Sequence, residues 1–367
     1  MASRFDAPYL QWATTRAPAR LDLAGSAVAA CTVDELEGAR DALELTGENT
    51  GAYVPLVGAI SARYGVPEAG VTTAHGASGA NFLVFAALLA PGDDVVVERP
   101  GYDALLGAPQ ILGARTIRFD RTFRDGFALD PDRVRRAITA QTRLVVITTP
   151  HNPSGVVASR DALEEVGRIA EANGAHVLVD EVYLDAADSG MQGGSSVIRT
   201  AVASGEVFIS TSSLTKSYGL TGLRCGWILS SPAIADRVRN VRRVIDVAGS
   251  IVTDRLAALA FRQIDRLTSR ARTLLHANHA LVRASLRARP ELEFIQPRGS
   301  TVVFPRIRGV DDSRRFTERL LDERDTAVVP GRFFDAPAHF RIGLGGTTET
   351  VRLGLAAIVA ALDAGAW

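Results

Sequence analysis

The residue with the clearest chemical potential is Lys216, because it is the single lysine of the chain. All other basic residues, of 41 in total, are arginines. An arginine guanidinium stays protonated, whereas a lysine amine can lose its proton in a desolvated site and attack a carbonyl. A genome-wide codon bias toward arginine would also leave a solitary lysine by chance. The motifs around Lys216 therefore decide whether it is a Schiff-base lysine.

Two motifs place polar side chains at the ends of predicted strands, where open α/β sheets bind ligands. Asp180 ends the strand predicted over residues 176–179, and its carboxylate suits a metal ligand, a general base or the partner of a cationic ring nitrogen. No histidine or cysteine cluster with ligand spacing accompanies it, which disfavours the metal. The turn from Thr149 to Gly155 follows another strand. It is either a plain Pro/Asn/Gly turn or a rigid turn that directs the Asn152 amide into the crevice.

A third group of residues suits a dianionic phosphate. Five hydroxyl residues between positions 210 and 215 lead to Lys216, and Arg224 follows eight residues later. Hydroxyls and an arginine near one lysine can bind phosphate, although a polar loop with a surface arginine has the same composition. The turn Gly76-Ala77-Ser78-Gly79-Ala80 opens a predicted helix and offers backbone N–H groups to the same anion.

The hydrophobic pattern predicts the scaffold that would bring these motifs together. Between about residues 71 and 230, short apolar runs alternate with helical stretches, which indicates βαβ units and a mainly parallel sheet. The runs are continuously apolar, so both faces of the sheet should be covered by helices. The predicted strands are 94–98, 115–119, 143–148, 176–179, 207–210 and 225–229, with helices over 79–89 and 160–173.

The pattern changes after about residue 232. Two long helical stretches, 233–247 and 252–287, are separated at Gly249, and short strands follow at 301–305, 327–329 and 339–344. We therefore predict an α/β fold with a large domain over residues 41–265 and a smaller α+β domain over residues 266–367. The N-terminal segment, residues 1–40, is expected to join the smaller domain.

Composition disfavours several classes of protein. Lys+Arg and Asp+Glu both total 41, and this balance offers no field to attract nucleic acid or an anionic membrane. No apolar run approaches the roughly 20 residues that span a bilayer, and no secretory signal is recognisable. Cys31 and Cys225 lie far apart and do not suggest a disulfide framework. The sequence predicts a cytoplasmic protein.

The motifs together resemble a known family. The segments Asn152-Pro153-Ser154-Gly155, Asp180-Glu181-Val182-Tyr183 and Ser213-Leu214-Thr215-Lys216, with Arg224, resemble the class I/II aminotransferases among the fold-type-I pyridoxal-phosphate enzymes. Their order and spacing match over about residues 40–360. The resemblance implies pyridoxal 5′-phosphate as cofactor, small-molecule amino-acid and keto-acid substrates, and a homodimer with shared active sites.

The resemblance also implies a role for each motif residue. Lys216 is expected to form the internal aldimine and to move the proton between the substrate Cα and the cofactor. Asp180 is expected to keep the pyridine nitrogen protonated, while Asn152 and Tyr183 bind the phenolic oxygen of the ring. Tyr102 is expected to stack on the pyridine face. The phosphate would be held by Ala77, through its backbone N–H, and by Ser78, Ser213 and Arg224.

Three further positions extend the implied site toward the substrate and the partner subunit. Arg341 resembles the arginine that binds the α-carboxylate, beside Asn152, although a structural ion pair is the alternative. Tyr53 resembles the tyrosine that reaches the partner's phosphate, but it follows Gly51, whereas the family's tyrosine usually precedes this glycine. Gly25 corresponds to a glycine beside the substrate carboxylate, or is an ordinary turn glycine. No second arginine of the kind that recognises dicarboxylic side chains is identifiable.

Three functions are compatible with these features. The first is an aminotransferase that moves an amino group between an α-amino acid and an α-keto acid. The second is another reaction of the same cofactor, such as a β-elimination, a decarboxylation or a cyclase/hydratase step. The cofactor-binding motifs do not separate these two, because the outcome depends on which Cα bond stands perpendicular to the ring. The third, a non-catalytic module, is disfavoured by the intact lysine, aspartate and arginine. We predict the aminotransferase.

Overall fold

The computed structural model describes residues 7–187, 199–297 and 299–365. Within these ranges the chain forms eleven α-helices and fourteen strands. The helices are α1 (Pro8–Thr15), α2 (Val54–Tyr64), α3 (Gly76–Leu88), α4 (Asp103–Ile111), α5 (Pro131–Ala137), α6 (Arg160–Ala172), α7 (Pro232–Ile245), α8 (Ile251–Arg262), α9 (Ile264–Leu286), α10 (Arg314–Arg324) and α11 (Thr348–Asp363). The strands are β1 (Leu21–Asp22), β2 (Val71–His75), β3 (Asp94–Arg99), β4 (Arg115–Asp120), β5 (Thr142–Thr148), β6 (His176–Asp180), β7 (Phe208–Ser213), β8 (Cys225–Leu229), β9 (Leu292–Glu293), β10 (Val302–Val303), β11 (Arg306–Ile307), β12 (Thr326–Ala327), β13 (Val329–Pro330) and β14 (Phe340–Gly343).

A seven-stranded sheet forms the centre of the larger part of the molecule, in the order β2-β8-β7-β6-β5-β3-β4. Strands β3 to β7 run parallel, and β8 is antiparallel to both its neighbours. Val95 and Val97 pack on one face with α3, α4 and α7, while Val96 packs on the other face with α5 and α6. Both faces are therefore covered, as the continuous apolar runs predict.

The strand directions bring the predicted motifs to one edge of this sheet. The C-terminal ends of β3, β5, β6 and β7 meet there because these strands are parallel. Since β8 runs the opposite way, its first residue, Cys225, lies at the same edge, next to His75 at the end of β2. The pattern of the sequence missed β2, a short strand with two threonines.

The C-terminal part contains three small sheets. Strands β10, β14 and β13 form an antiparallel sheet, and β11 pairs with β9. The N-terminal β1 pairs in parallel with β12, and Leu23 and Val28 pack in one core with α9 and α11. The domain limits at residues 40 and 265 stay a prediction, and the outer ends of those domains, residues 1–6 and 366–367, lie outside the described residues.

The helix predicted over 252–287 is two helices, because α8 ends and α9 begins around Gln263. Helix α8 packs in the core of the large sheet, whereas α9 begins in that core with Ile264 and Leu267 and continues into the C-terminal core. Ala257 and Phe261 of α8 pack with Trp227 of the large sheet, whereas Leu275 of α9 packs with the C-terminal sheets. In the described ranges, none of the helices combines the length and apolar character that a membrane crossing requires.

Candidate active site

A cavity of about 340 Å³ lies at the edge of the sheet where the motifs meet. Ten of the residues that the sequence singles out line it: Ala77, Ser78, Tyr102, Asn152, Asp180, Tyr183, Ser213, Lys216, Arg224 and Arg341. They come from segments as far apart as residues 77 and 341, so only the folded sheet brings them together. Its other lining residues are Tyr9, Leu10, Ala13, Ser26, Leu105, Thr148, Val182 and Thr215.

Lys216 and Asp180 give the cavity its acid–base character. Burial lowers the pKa of Lys216 to about 8, and the positive charges of Arg341 and Arg224 act in the same direction. The amine is thus partly unprotonated near neutral pH and can act as a nucleophile. Burial raises the pKa of Asp180, while hydrogen bonds from the Asn81 amide and the Val182 backbone N–H lower it. These two bonds therefore favour the ionised carboxylate.

Asn81 is a site residue that the sequence analysis missed. It lies in α3, and its Nδ2 donates to Asp180 Oδ2 at 2.8 Å. The Thr211 hydroxyl donates to Asn81 Oδ1 at 2.6 Å, and all three side chains are buried. The signal in the sequence was a single polar residue within the otherwise apolar helical run 79–89.

Backbone N–H groups, hydroxyls and a guanidinium form one group of donors among the residues that line the cavity. Ala77 and Ser78 lie in the first turn of α3, and Ser213 ends β7. Gly76 has a φ of +71°, and a Cβ built on it would lie 2.6 Å from Arg224 Nη2. A larger residue at position 76 would thus displace the guanidinium from the helix N-terminus. Such a group of donors is suited to a dianion.

Arg341 lies fully buried in β14 and also lines the cavity. Its Nη1 donates to Asn152 Oδ1 at 2.8 Å, and its Nη2 donates to the Tyr9 phenol and to the Ala24 carbonyl, each at 2.8 Å. No carboxylate of the described residues accepts from Arg341. The structural ion pair that the sequence left open is therefore absent from the described part of the chain.

Tyr183 and Tyr102, together with Tyr9, are the aromatic side chains among the described residues that line the cavity. The Tyr183 phenol and Ser26 Oγ share a hydrogen bond of 3.0 Å, and burial raises the pKa of Tyr183 to about 12. Tyr183 therefore stays protonated at physiological pH and can donate a hydrogen bond. Tyr102 immediately precedes α4, and its ring meets the Tyr9 ring edge-on with the centroids 5.8 Å apart.

Helix α1 is the largest feature of the site that the sequence analysis missed. Tyr9, Leu10 and Ala13 of this helix line the cavity. Its N-cap residue, Ala7, makes no side-chain capping bond, and Asp103 Oδ2 instead accepts from the backbone N–H groups of Tyr9 and Leu10. The capping residue is thus more than 90 positions away in the sequence.

Two predicted residues do not line the cavity. Gly25 lies between Ala24, whose carbonyl binds Arg341, and Ser26, which lines the cavity. Tyr53 precedes α2 and packs at the margin of the apolar cluster around Leu56. Its implied role concerns a partner subunit, so that role stays a prediction.

The residues of the cavity fit pyridoxal phosphate. Three of the described lining residues are basic, Lys216, Arg224 and Arg341, and one is acidic, Asp180. This excess of positive charge suits a phosphate and a substrate carboxylate, and the volume falls in the usual range for a small-molecule site. The Arg224 guanidinium packed against Gly76 and the buried, partly unprotonated amine match a phosphate and an aldehyde. Within the described ranges, no group of three or more His, Cys, Asp or Glu is arranged to hold a metal.

Comparison with known proteins identifies the family. The family model of aminotransferase class I and II matches residues 46–358. An aspartate aminotransferase of Thermotoga maritima is 30% identical over 282 residues, which are 76% of this chain and 72% of the relative. Capreomycidine synthase of Streptomyces vinaceus is 31% identical over 289 residues, 78% of this chain and 73% of the relative. The solved structure of a pyridoxal-phosphate-dependent aminotransferase of Streptococcus suis superimposes with a TM-score of 0.89 at 26% identity, covering 99% of this chain and 98% of that chain.

The chain belongs to the class I and II aminotransferase family. It is an enzyme that depends on pyridoxal phosphate, and its activity is that of an aminotransferase. The predicted fold-type-I α/β architecture, cofactor and reaction class are confirmed by these matches.

Proposed function

We propose that this cavity transfers an amino group between an α-amino acid and an α-keto acid, with Lys216 as the residue that holds the cofactor. One observation carries the assignment. The amine of Lys216, with its pKa lowered to about 8, and the carboxylate of Asp180 line the same cavity. A lone lysine on the surface would have neither the burial nor the acidic partner.

The side chains around Lys216 account for the proton transfers. Bound here, pyridoxal phosphate supplies an electron-withdrawing ring that stabilises a carbanion at the substrate Cα. Lys216 Nζ, partly unprotonated near neutral pH, can take a proton from the substrate Cα and return it. Asp180, whose charged form is favoured by hydrogen bonds from Asn81 and Val182, would provide the negative charge opposite a ring nitrogen.

The remaining lining residues hold and orient the cofactor. Tyr183 is protonated at physiological pH and would donate a hydrogen bond, together with the Asn152 amide, to the phenolic oxygen of the ring. Tyr102 would pack against the ring face. The phosphate would be bound by the residues at the start of α3 and around Lys216: Ala77, Ser78, Ser213 and Arg224.

We assign recognition of the substrate α-carboxylate to Arg341, with Asn152 beside it. The guanidinium is buried, and no carboxylate of the described residues neutralises it, so a carboxylate ligand would be its first ionic partner. Arg224 and Arg341 are the only arginines among the described residues that line the cavity. If Arg224 binds the phosphate, only Arg341 of these two arginines remains to bind a substrate carboxylate. A monocarboxylic amino donor therefore fits this chain better than a dicarboxylic one. Gly25 would lie beside the substrate through its backbone.

We further propose a homodimer in the cytoplasm, with Tyr53 reaching the phosphate of the partner subunit. Large apolar side chains are exposed near Tyr53, including Val54 at 69% and, after α7, Val247 at 69%. Residues 51, 52 and 247 line one surface depression, so these segments are neighbours. An apolar surface of this kind supports association with a second copy. A Val247→Asp variant should sediment as a monomer, and an unchanged dimer would contradict this surface.

The test of the reaction is a half-reaction without acceptor. Holoenzyme mixed with single amino-acid donors should release one keto acid per site, keep the amino nitrogen on the enzyme and lose its visible absorbance band. A keto acid added afterwards should be aminated and should restore the band. Lys216→Arg is the matched control, because it keeps the charge but has no amine that loses its proton, and it should give neither change. Continuous release of ammonia would contradict transamination.

One comparison favours a second candidate function. Capreomycidine synthase, at 31% identity, carries the name of a synthase rather than a transaminase. The second candidate is therefore a different pyridoxal-phosphate reaction, a cyclase/hydratase, lyase or decarboxylase step. In the same experiment such an enzyme would turn over a donor repeatedly with no keto acid present, whereas an aminotransferase stops after one turnover.

A further inference from the structure

The hydrogen bonds of Arg341 leave no place for a carboxylate to bind through two parallel bonds. A guanidinium offers two such edges, one formed by Nε and Nη2 and the other by Nη1 and Nη2. Each edge requires one of the two N–H groups of Nη2. Both are in use, because Nη2 donates to the Tyr9 phenol and to the Ala24 carbonyl. A carboxylate that pairs with either edge must therefore displace one of these two acceptors.

The Tyr9 phenol is the acceptor that can leave. The Ala24 carbonyl belongs to a buried backbone segment, whose N–H is fixed by Asp22 Oδ1 at 2.9 Å. Tyr9 is a side chain of α1, an eight-residue helix in which no residue is fully buried. A rotation of the Tyr9 side chain or a small shift of α1 can thus leave the buried backbone in place, whereas movement of Ala24 would disturb the core.

We propose that Tyr9 occupies part of the carboxylate subsite and exchanges with the substrate, so that it is a specificity-determining residue of this site. The proposal rests on the role proposed for Arg341. In the free enzyme the phenol keeps the buried guanidinium hydrogen-bonded, and its ring lies under the same group, 5.2 Å from the guanidinium carbon. A substrate carboxylate takes over the Nη2 bond, and the phenol turns away. Ligands without a carboxylate do not offer this exchange.

The surroundings of Tyr9 provide a reporter of the exchange. The Tyr9 ring lies among Trp12, Phe333 and Phe334, with centroid separations of 6.3, 6.2 and 5.5 Å. Trp12 belongs to the same helix and contacts Phe333 at 5.4 Å. A displacement of Tyr9 therefore changes the environment of the Trp12 indole, which fluorescence can follow.

The test measures binding of propanoate, which has no amino group to react, to holoenzyme with the wild-type chain and with Tyr9→Phe. The variant keeps the ring but removes the acceptor that propanoate must displace. Titration calorimetry should therefore give a dissociation constant about fivefold lower for Tyr9→Phe. In the enzyme with Tyr9, propanoate should also change the tryptophan emission, and Trp12→Phe should remove that change. Tyr64→Phe, which loses a phenol bonded to Asp185 outside the cavity, should bind propanoate like the wild type.

The outcomes separate the two assignments. An unchanged or higher dissociation constant in Tyr9→Phe would overturn the exchange, since a phenol that donates to the carboxylate strengthens binding. If neutral propanamide bound as tightly as propanoate, the carboxylate role of Arg341 would be wrong, and the proposed substrate recognition would fall with it. Preference for propanoate without any gain in Tyr9→Phe would leave the role of Arg341 intact and refute only the role of Tyr9.

Discussion

Replacement of Asn81 by leucine tests whether the Asn81 amide favours the ionised form of Asp180. Leucine is similar in size but has no amide, so Asp180 Oδ2 loses the hydrogen bond of 2.8 Å. Asp180 keeps the bond from the Val182 backbone N–H. The pKa of Asp180, already raised by burial, should rise further because the lost bond favoured the charged form.

The size of the effect follows from the kind of bond that is lost. A hydrogen bond to a charged group contributes about 1.5–3 kcal/mol. If the cofactor requires the ionised carboxylate, its dissociation constant should rise about ten- to hundredfold. Thr211→Val is the matched control, because it removes the hydroxyl that holds Asn81 Oδ1 but leaves the amide donor in place, and it should have a smaller effect.

The assay titrates apoenzyme with pyridoxal phosphate at pH 6.5 and pH 8.5 and follows the absorbance band. A carboxylate with a raised pKa is more fully ionised at the higher pH. The loss of pyridoxal-phosphate affinity in Asn81→Leu, relative to the wild type, should therefore be larger at pH 6.5 than at pH 8.5. A dissociation constant equal to that of the wild type at both pH values would refute the role of Asn81. An equal loss of pyridoxal-phosphate affinity at both pH values would mean that the variant disturbs packing rather than the ionisation of Asp180.

Three further predictions concern other parts of the site. Because the pKa of Lys216 is about 8 rather than 10.5, the rate of covalent cofactor incorporation into apoenzyme should rise with pH and level off above about pH 8. A rate that still rises between pH 9 and 10.5 would contradict the lowered pKa. Gly76→Ala should weaken binding of pyridoxal phosphate more than binding of pyridoxal, because the new Cβ would meet Arg224. Gly92→Ala is the control: it also lies at a positive φ but faces open space, and it should leave the binding of both compounds unchanged. Asp103→Ala should lower the stability of helix α1 by about 0.5–2 kcal/mol, which faster amide exchange at Tyr9 and Leu10 would report. Unchanged exchange would exclude Asp103 as the cap of α1.

The sequence was sufficient to locate those site residues that directly follow the end of a strand. Asp180 and Lys216 could be placed near each other because the C-terminal ends of adjacent parallel strands share one edge of the sheet. The apolar runs that revealed these strands are continuous, so their bounds were predicted to within a few residues. The hydroxyls and glycines before α3 and around Lys216 indicated a phosphate site because they are close in sequence to the start of a helix or the end of a strand.

The residues that the sequence missed depend on contacts between distant segments. Asn81 acquires its role because α3 packs over β6 and β7, which sets its amide against a carboxylate 99 positions away. Helix α1 has no capping residue of its own, and its position over the cavity depends on Asp103 and on the aromatic contacts of Tyr9 and Trp12 with Phe333 and Phe334. Neither contact leaves a pattern in the local sequence. The division between α8 and α9 also depends on distant contacts, since α8 and the first turn of α9 pack with the large sheet, whereas the rest of α9 packs with the C-terminal sheets.

The most direct measurement of the central claim locates the bond between the protein and its cofactor. Holoenzyme is reduced with borohydride, digested and analysed by mass spectrometry. One phosphopyridoxyl group per chain is expected, attached to Lys216, and none is expected in Lys216→Arg. Attachment to the N-terminal amine instead, or reduced holoenzyme without any covalent adduct, would contradict the claim that Lys216 holds the cofactor.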